Sequence, residues 1–258
     1  MSLIENTLFG KRDKVALSIE RLKALEPPDG YYLTFSGGKD SVVIYRLAQM
    51  AGVRFDAHYH VTTVDPPELV QFIMSHYPEV ERDRPEHSMW ELILMHNWPP
   101  LRHQRYCCRY LKETGGNGRV IVTGVRWAES VRRRQRQMVE PCMTNGRRSF
   151  LHPIIDWSNS DVWQFIRQEG IPYCPLYDEG FTRLGCVLCP NDSQPERQIA
   201  RWPRIAAQYR RTFDRLIEKR RAEGKSCDFS TGQELFDWWV TRNSKGMLSS
   251  TVEPILFE

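Results

Sequence analysis

Apolar residues recur at Val15, Ile19, Leu22 and Leu25, the spacing of one helical face, and Pro27-Pro28-Asp29-Gly30 closes that run. Tyr31-Tyr32-Leu33-Thr34-Phe35 follows as a run of β-formers, and residues 42–48 (Val-Val-Ile-Tyr-Arg-Leu-Ala) carry a helical pattern that stops at Gly52. Residues 54–61 read as a second strand leading into Thr62-Thr63-Val64-Asp65. Pro66-Pro67-Glu68 opens a helix to about Tyr77, with proline tolerated in the first turn. Ser88 caps a third helix bearing Trp90, Leu92, Ile93 and Leu94, and Cys107-Cys108 start another. Residues 119–124 (Arg-Val-Ile-Val-Thr-Gly) have the form of a buried parallel strand. Residues 149–155 predict a further strand or edge segment, and Ser158 with Asp161 three residues on marks a helix start at Val162.

Strands alternating with helices at this spacing predict an α/β fold, a doubly wound and mostly parallel sheet covered on both faces. Ligands sit at the carboxyl ends of strands in such sheets, so the loops after Phe35, Val61 and Gly124 are expected to converge on one pocket. From Pro190 the composition shifts. Residues 197–222 are Arg-rich and helical with a break at Pro203, and Ser230-Thr231-Gly232-Gln233-Glu234 caps a last helix through Trp239. The expected organisation is an N-terminal helix within 1–28, an α/β domain over 29–190 and a helical C-terminal extension over 191–258.

The 258 residues suffice for one large domain with an appendage, and a 41% hydrophobic fraction is enough for a core. There is no run of about 18 apolar residues, and Met1 to Arg12 are polar and charged, which predicts a soluble cytoplasmic protein without a membrane partner. The net charge of +4 suits an anionic small substrate and does not by itself require nucleic acid. Seven cysteines in such a compartment point to metal before disulfides.

Between the first strand and its helix stands Ser36-Gly37-Gly38-Lys39-Asp40-Ser41. Gly37 and Gly38 allow successive N–H groups to turn inward around an anion, and the helix start adds its positive dipole end. Lys39 supplies a mobile charge and the serines supply hydroxyls, a set suited to pyrophosphate. The alternative is an ordinary tight turn. Neither the Gly-x-x-x-x-Gly-Lys-Ser/Thr spacing nor Gly-x-Gly-x-x-Gly occurs here. The hexapeptide resembles the PP-loop of the ATP pyrophosphatases, which split ATP between its α and β phosphates.

Cys107-Cys108 and Cys186-Val187-Leu188-Cys189 offer four soft ligands, which select zinc or an iron–sulfur cluster. Spacing alone does not separate the two, and Cys142 is an alternative ligand in place of Cys107 or Cys108. Cys174 and Cys227 read as small buried hydrophobes. The Cys-Cys…Cys-x-x-Cys order is similar to the cluster motif of assimilatory adenylylsulfate reductases. Other stretches match the wider phosphoadenosine phosphosulfate reductase family in the same order: the PP-loop, residues 124–130 (Gly-Val-Arg-Trp-Ala-Glu-Ser), Pro153-Ile154-Ile155-Asp156-Trp157, Asp161-Val162-Trp163, and residues 175–181 (Pro-Leu-Tyr-Asp-Glu-Gly-Phe). The resemblance implies an adenine nucleotide α-hydrolase-like, Rossmann-like domain, and a [4Fe-4S] cluster on Cys107, Cys108, Cys186 and Cys189. It also carries Gly124, Arg126, Glu129 and Ser130 into the nucleotide or substrate site beside Ser36 to Ser41.

Arg126, Arg132, Arg133, Arg134 and Arg136 follow the strand ending at Gly124, where a guanidinium fork would bind phosphate or sulfate; a solvated charged face is the alternative. Sulfonucleotide reductases resemble one another in a Glu-Cys-Gly-x-His segment with a nucleophilic cysteine. Residues 250–258 and the Lys225-Ser226-Cys227-Asp228-Phe229 stretch do not match it, so reduction of a sulfonucleotide is the second reading rather than the first. The first is an ATP- and Mg²⁺-using enzyme of sulfur chemistry in which Lys39, Asp40 and Arg126 are catalytic. It adenylates an acceptor and takes sulfur from a donor such as a cysteine desulfurase, with a nucleic-acid acceptor conceivable by resemblance to DNA phosphorothioation enzymes. A third reading is a nucleotide- and cluster-binding regulator with a DNA-binding partner. Asp65 and Glu68 would assist Mg²⁺ or cap a helix, and His60 reads as a packing residue.

Overall fold

A short hairpin, Ile4–Thr7 (β1) against Gly10–Asp13 (β2), precedes the first helix, Lys14–Ala24 (α1). The helix starts there because the Asp13 carboxylate accepts from Val15 N at 2.9 Å and from Ala16 N at 3.3 Å. The expected N-terminal helix is thus shorter than its apolar pattern, and the residues before it pair with one another instead. This computed structural model describes residues 3–7, 10–141, 148–192 and 194–244. Cys142 and residues 250–258, both considered above, lie outside them.

The chain divides into two units. The first holds residues 1–61, 65–84 and 114–185 and is built on a six-stranded sheet. Its elements are Tyr31–Thr34 (β3), Lys39–Ala51 (α2), Phe55–His60 (β4), Pro67–His76 (α3) and Glu81–Asp83 (β5). Numbering on through the chain past two helices of the second unit, Met89–Met95 (α4) and Tyr106–Leu111 (α5), the sheet is completed by Val120–Val122 (β6), Val139–Pro141 (β7) and Ser149–Leu151 (β8), and Asn159–Glu169 (α6) follows. The order is β5-β4-β3-β6-β8-β7, parallel throughout except for β7, which runs antiparallel on β8. This is the predicted doubly wound, mostly parallel α/β sheet. The two short edge strands escaped the sequence pattern because Glu81-Arg82-Asp83 is wholly charged and Val139-Glu140-Pro141 ends in proline, so neither shows the apolar run that marks β6.

Helix α2 is apolar nearly all round, with Val42, Val43, Ile44, Leu47 and Ala48 fully buried, and it packs between α1 and α6. Gly52 closes it in the left-handed conformation at φ 69°. Ser158 caps α6 through a reciprocal pair with Asp161. Strand β4 behaves differently from a strand buried on both faces. Ala57 and Tyr59 are buried on one side, whereas Asp56, His58 and His60 make the other side polar.

The second unit holds residues 62–64, 85–113 and those from 186 on. Besides α4 and α5 it contains Pro195–Arg201 (α7), Pro203–Ala222 (α8) and Gly232–Ser244 (α9). Pro203 separates α7 from α8, as expected of a residue that cannot continue a helix but suits a first turn. Its core is aromatic: Tyr209 lies 4.9 Å from Trp90 and 5.0 Å from Trp239 between ring centroids, and Trp239 Nε1 donates to Pro100 O at 2.7 Å. Among the described residues no helix is long and apolar enough to cross a membrane.

Candidate functional site

The Ser36–Ser41 turn forms as its composition dictates. Gly37 sits at φ 69°, and a Cβ placed there would lie 2.7 Å from Leu69 Cδ1 and 2.8 Å from Ile73 Cδ1, so no other residue fits. Gly38 is the residue before α2, and Ser41 Oγ donates to its carbonyl at 2.8 Å. Ser36 Oγ accepts from Gly38 N and donates to Ser41 Oγ, both at 3.4 Å. Lys39 is nearly buried, and its Nζ donates to Asp40 Oδ2 at 2.7 Å.

Asp40 is the hub. Its other oxygen, Oδ1, accepts from Arg126 Nε at 2.7 Å. Arg126 is wholly buried, with Nη1 donating to Trp157 O at 3.1 Å and Nη2 to Asn159 Oδ1 at 2.8 Å. Every nitrogen of that guanidinium is therefore committed inside the fold. The expectation that Arg126 itself grips an anion gives way to a tie holding Asp40, and with it the start of α2, against the segment before α6. Gly124 makes the approach possible, because a Cβ there would lie 3.0 Å from Asp40 Cβ and 3.1 Å from its carbonyl. Glu129 accepts from Arg126 N at 2.9 Å and pairs with Arg133, while Ser130 Oγ accepts from Arg133 N at 3.2 Å. These two shape the loop.

One residue outside the candidate set, Tyr177, joins this constellation, and a second, His152, is buried after β8. The Tyr177 hydroxyl accepts from Lys39 N at 2.8 Å, engaging one of the amides of the turn. Burial, more than any neighbouring charge, raises its phenol above the ordinary value. His152, just after β8, is fully buried with Nδ1 2.7 Å from Thr123 Oγ1 and Nε2 without a hydrogen-bond partner. Burial first, and the charge of Arg136 second, push it down to about 4. The motif around Tyr177 was legible; which of its atoms meets the glycine turn was not.

Beside this network a cleft of about 540 Å³ is lined by Lys14, Trp127, Arg134, Asp156, Trp157 and Ser158, among others. Asp156 is held by Arg12 and by a two-pronged Arg21 contact; burial opposes its charge, and the Arg21 hydrogen bond holds the carboxyl below its usual range. Asp65 accepts from Tyr59 OH at 2.6 Å, and Glu68 lies in the first turn of α3. His60, read as a packing residue at the end of β4, has its Nε2 3.0 Å from Tyr32 OH and its Nδ1 3.3 Å from Thr114 Oγ1.

In the second unit, Cys107 and Cys108 open α5 as predicted, and Arg105 Nη2 donates to Cys108 Sγ at 3.0 Å. The Cys107 thiol hydrogen-bonds to Cys108, and with Arg105 this draws Cys108 down to about 5; the same bond, with burial, raises Cys107. Cys186 and Cys189 lie on a turn closed by Cys189 N to Cys186 O at 3.3 Å, with Leu188 at φ 58°. Both are near enough to act on Cys107 by charge, so all four thiols share one neighbourhood with one guanidinium. Tetrahedral zinc, bound at about 2.3 Å, needs its sulfurs roughly 3.8 Å apart. Among the described residues, His58, Glu81 and Asp83 are the only His, Cys, Asp or Glu group with three ligand atoms all within 4.8 Å of one another. The four thiols are a soft ligand set of the kind that zinc or an iron–sulfur cluster takes.

The sequence profile of the phosphoadenosine phosphosulfate reductase domain matches residues 30–192. An uncharacterized protein of Methanocaldococcus jannaschii is 26% identical over 81% of this chain and 44% of its own length. Adenosine 5′-phosphosulfate reductase of Allochromatium vinosum is 32% identical over 47% of this chain and 52% of its own length. A probable FAD synthase of Caenorhabditis briggsae is 27% identical over 68% of this chain and 32% of its own. The chain thus spans about half or less of the length of these relatives. The crystal structure of phosphoadenylyl-sulfate (PAPS) reductase from Candida auris, a phosphate complex, matches with a TM-score of 0.51 at 17% identity, over 66% of this chain and 87% of that one, a likeness of fold. With the profile covering well over half of the chain and the glycine turn at the head of α2, the chain belongs to the phosphoadenosine phosphosulfate reductase family of the PP-loop superfamily.

Proposed function

We propose that this chain is an enzyme that binds ATP through Ser36–Ser41, transfers the adenylyl group to an acceptor with release of pyrophosphate, and supports sulfur transfer to that acceptor. The observation that carries this reading is the turn itself: Gly37 held left-handed against Leu69 and Ile73, followed by Lys39 at the positive end of a buried helix. Such a cradle favours charge on a departing diphosphate. Relatives named for adenosine 5′-phosphosulfate reduction and for FAD synthesis both act on adenylyl compounds, which agrees with an adenine nucleotide here.

In this scheme an acceptor oxygen attacks the α-phosphate and the pyrophosphate leaves with the bridging oxygen. Lys39 follows the developing charge, and Asp40, fixed by Arg126, orients Lys39; Arg126 is a positioning residue. Mg²⁺ would accompany the phosphates. The acceptor seat is assigned to the cleft of Trp127, Arg134 and Ser158, which joins an aromatic face to a cation. The terminal sulfur of a persulfide donor, such as a cysteine desulfurase supplies, then displaces AMP, and a second thiol cleaves the bond to the donor.

Cys107, Cys108, Cys186 and Cys189 would hold a [4Fe-4S] cluster. Four thiolate-forming side chains in one neighbourhood, Cys107 acted on by the other three, are the ligand set of that group. When bound it supplies one-electron chemistry or a site for sulfide.

Incubation with ATP labelled at the α and γ positions and with candidate acceptors, nucleic acids among them, tests the scheme. AMP and pyrophosphate as products support it; ADP and orthophosphate overturn it. A second reading, reduction of adenylylsulfate, is favoured by the Allochromatium relative and is recognised by sulfite release in the presence of a dithiol reductant.

A further inference from the structure

We propose that His58, Glu81 and Asp83 form a binding site for a divalent metal ion of the Mn²⁺ class on the polar face of the sheet, a site separate from the phosphate-binding turn and the four cysteines.

Alternation along β4 puts Asp56, His58 and His60 on one face, and the parallel register sets His58 opposite Glu81 and His60 opposite Asp83. His58 Nδ1 lies 3.1 Å from Asp83 Oδ2 and 3.8 Å from Glu81 Oε2, and one atom of each residue falls within 4.8 Å of the other two. Ligands about 2.1 Å from a common ion stand roughly 3.0–3.4 Å apart; His58 and Asp83 are already at that spacing, and Glu81, 3.8 Å from His58, would close the remainder through its exposed side chain.

The surroundings have the form of a metal site's outer layer. His58 Nε2 meets Asp56 Oδ2 at 2.5 Å, the contact that fixes an imidazole's tautomer when its other nitrogen binds metal. Asp56 is fixed in turn by Arg119, through Nη1 at 2.7 Å and Nη2 at 2.5 Å. Tyr32 OH donates to Asp83 Oδ2 at 3.0 Å, and its ring stacks on His58 with centroids 4.1 Å apart. Both the ring and the acid are therefore held before any ion arrives.

A neutral imidazole donates from one nitrogen only. With Nε2–H given to Asp56, the Nδ1 lone pair faces the carboxylates of Glu81 and Asp83, and the neutral Tyr32 hydroxyl that donates to Asp83 Oδ2 supplies no charge to offset the two acids. A cation resolves that. The competing arrangement is an imidazolium donating to both sides, which needs no ion. One nitrogen and two carboxylates suit Mn²⁺, Fe²⁺ or Zn²⁺, and three ligands leave positions for water. The ion would pin the three-residue edge strand β5 to β4.

The test uses Mn²⁺ alone, since soft thiolates compete poorly for it, on the full chain without nucleotide, read by calorimetry and electron paramagnetic resonance. One Mn²⁺ per chain is expected, weakened at least tenfold by Glu81→Gln and His58→Gln. Asp56→Asn, which only orients the imidazole, should weaken it in the range of about 10- to 100-fold. The Glu81 side chain is 65% exposed, so that variant folds even if His58→Gln does not. No bound Mn²⁺, or binding that Glu81→Gln leaves unchanged, overturns the site in favour of the imidazolium, and neither result bears on the ATP reading.

Discussion

Arg126 and Asp40 stand 86 residues apart in the chain and 2.7 Å apart in the fold, joined by a hydrogen-bonded ion pair whose guanidinium has no exposed surface. Because the same carboxylate takes Lys39 on its second oxygen, the pair ties the start of α6 to the glycine turn at the head of α2.

Asp40→Asn should therefore destabilise the protein by about 3 kcal/mol, since it leaves a buried guanidinium without its counter-charge. Urea denaturation measures this, and a loss below about 1 kcal/mol would show that the pair is not desolvated. Arg126→Leu with Asp40→Asn should cost less than the two single losses added, because the double variant no longer buries the guanidinium or its partner carboxylate alone.

The two adjacent glycines should respond differently. Gly37→Ala forces a Cβ into Leu69 and Ile73 at a positive φ and is expected to cost about 1–3 kcal/mol along with pyrophosphate release. Gly38→Ala, where φ is −78° and the nearest atoms would be 3.4 Å away, should cost no more than about 1 kcal/mol, roughly the preference for Gly over Ala at an N-cap. Equal losses would contradict the geometry.

Tyr177→Phe removes the acceptor of Lys39 N. The nucleotide-free protein should lose about 1 kcal/mol, and the released amide should bind phosphate oxygens more tightly, lowering the Kd for ATP about threefold. Weaker ATP binding in this variant would mean that the phenol contacts the nucleotide rather than competing with it.

His152 makes stability depend on pH. Its folded value, about 4, is below the ordinary 6.5, so the unfolded chain binds the extra proton first. The contribution is full above about 6.5 and is lost as pH falls toward 4, about 3 kcal/mol in all. Denaturation midpoints from pH 7 to 4 should fall more steeply for the native chain than for His152→Leu. Parallel slopes would remove His152 as the titrating group.

Cysteine replacement addresses the second unit. Anaerobically purified protein should carry about four irons per chain and absorb visibly, and Cys186→Ser or Cys108→Ser should lose most of that iron. One zinc per chain and a colourless protein would replace the cluster with a structural zinc site.

Much of this protein is legible in its sequence. Strand and helix periodicity located the nucleotide-type sheet from Tyr31 to Leu151, the Ser88 and Ser158 caps marked their helices, and the glycine turn announced itself by composition and position, because each is a local signal. Family motifs carried Arg126 into the site but not its job. Whether a guanidinium faces solvent or a buried Asp40 depends on partners distant in sequence, and a list of arginines does not hold that information. Tyr177, His152 and the His58 ladder were hidden for the same reason. Local sequence determined which backbone segments turn, coil or extend; only the packing of strands in register decided which side chains meet, because burial and pairing are properties of the assembled sheet.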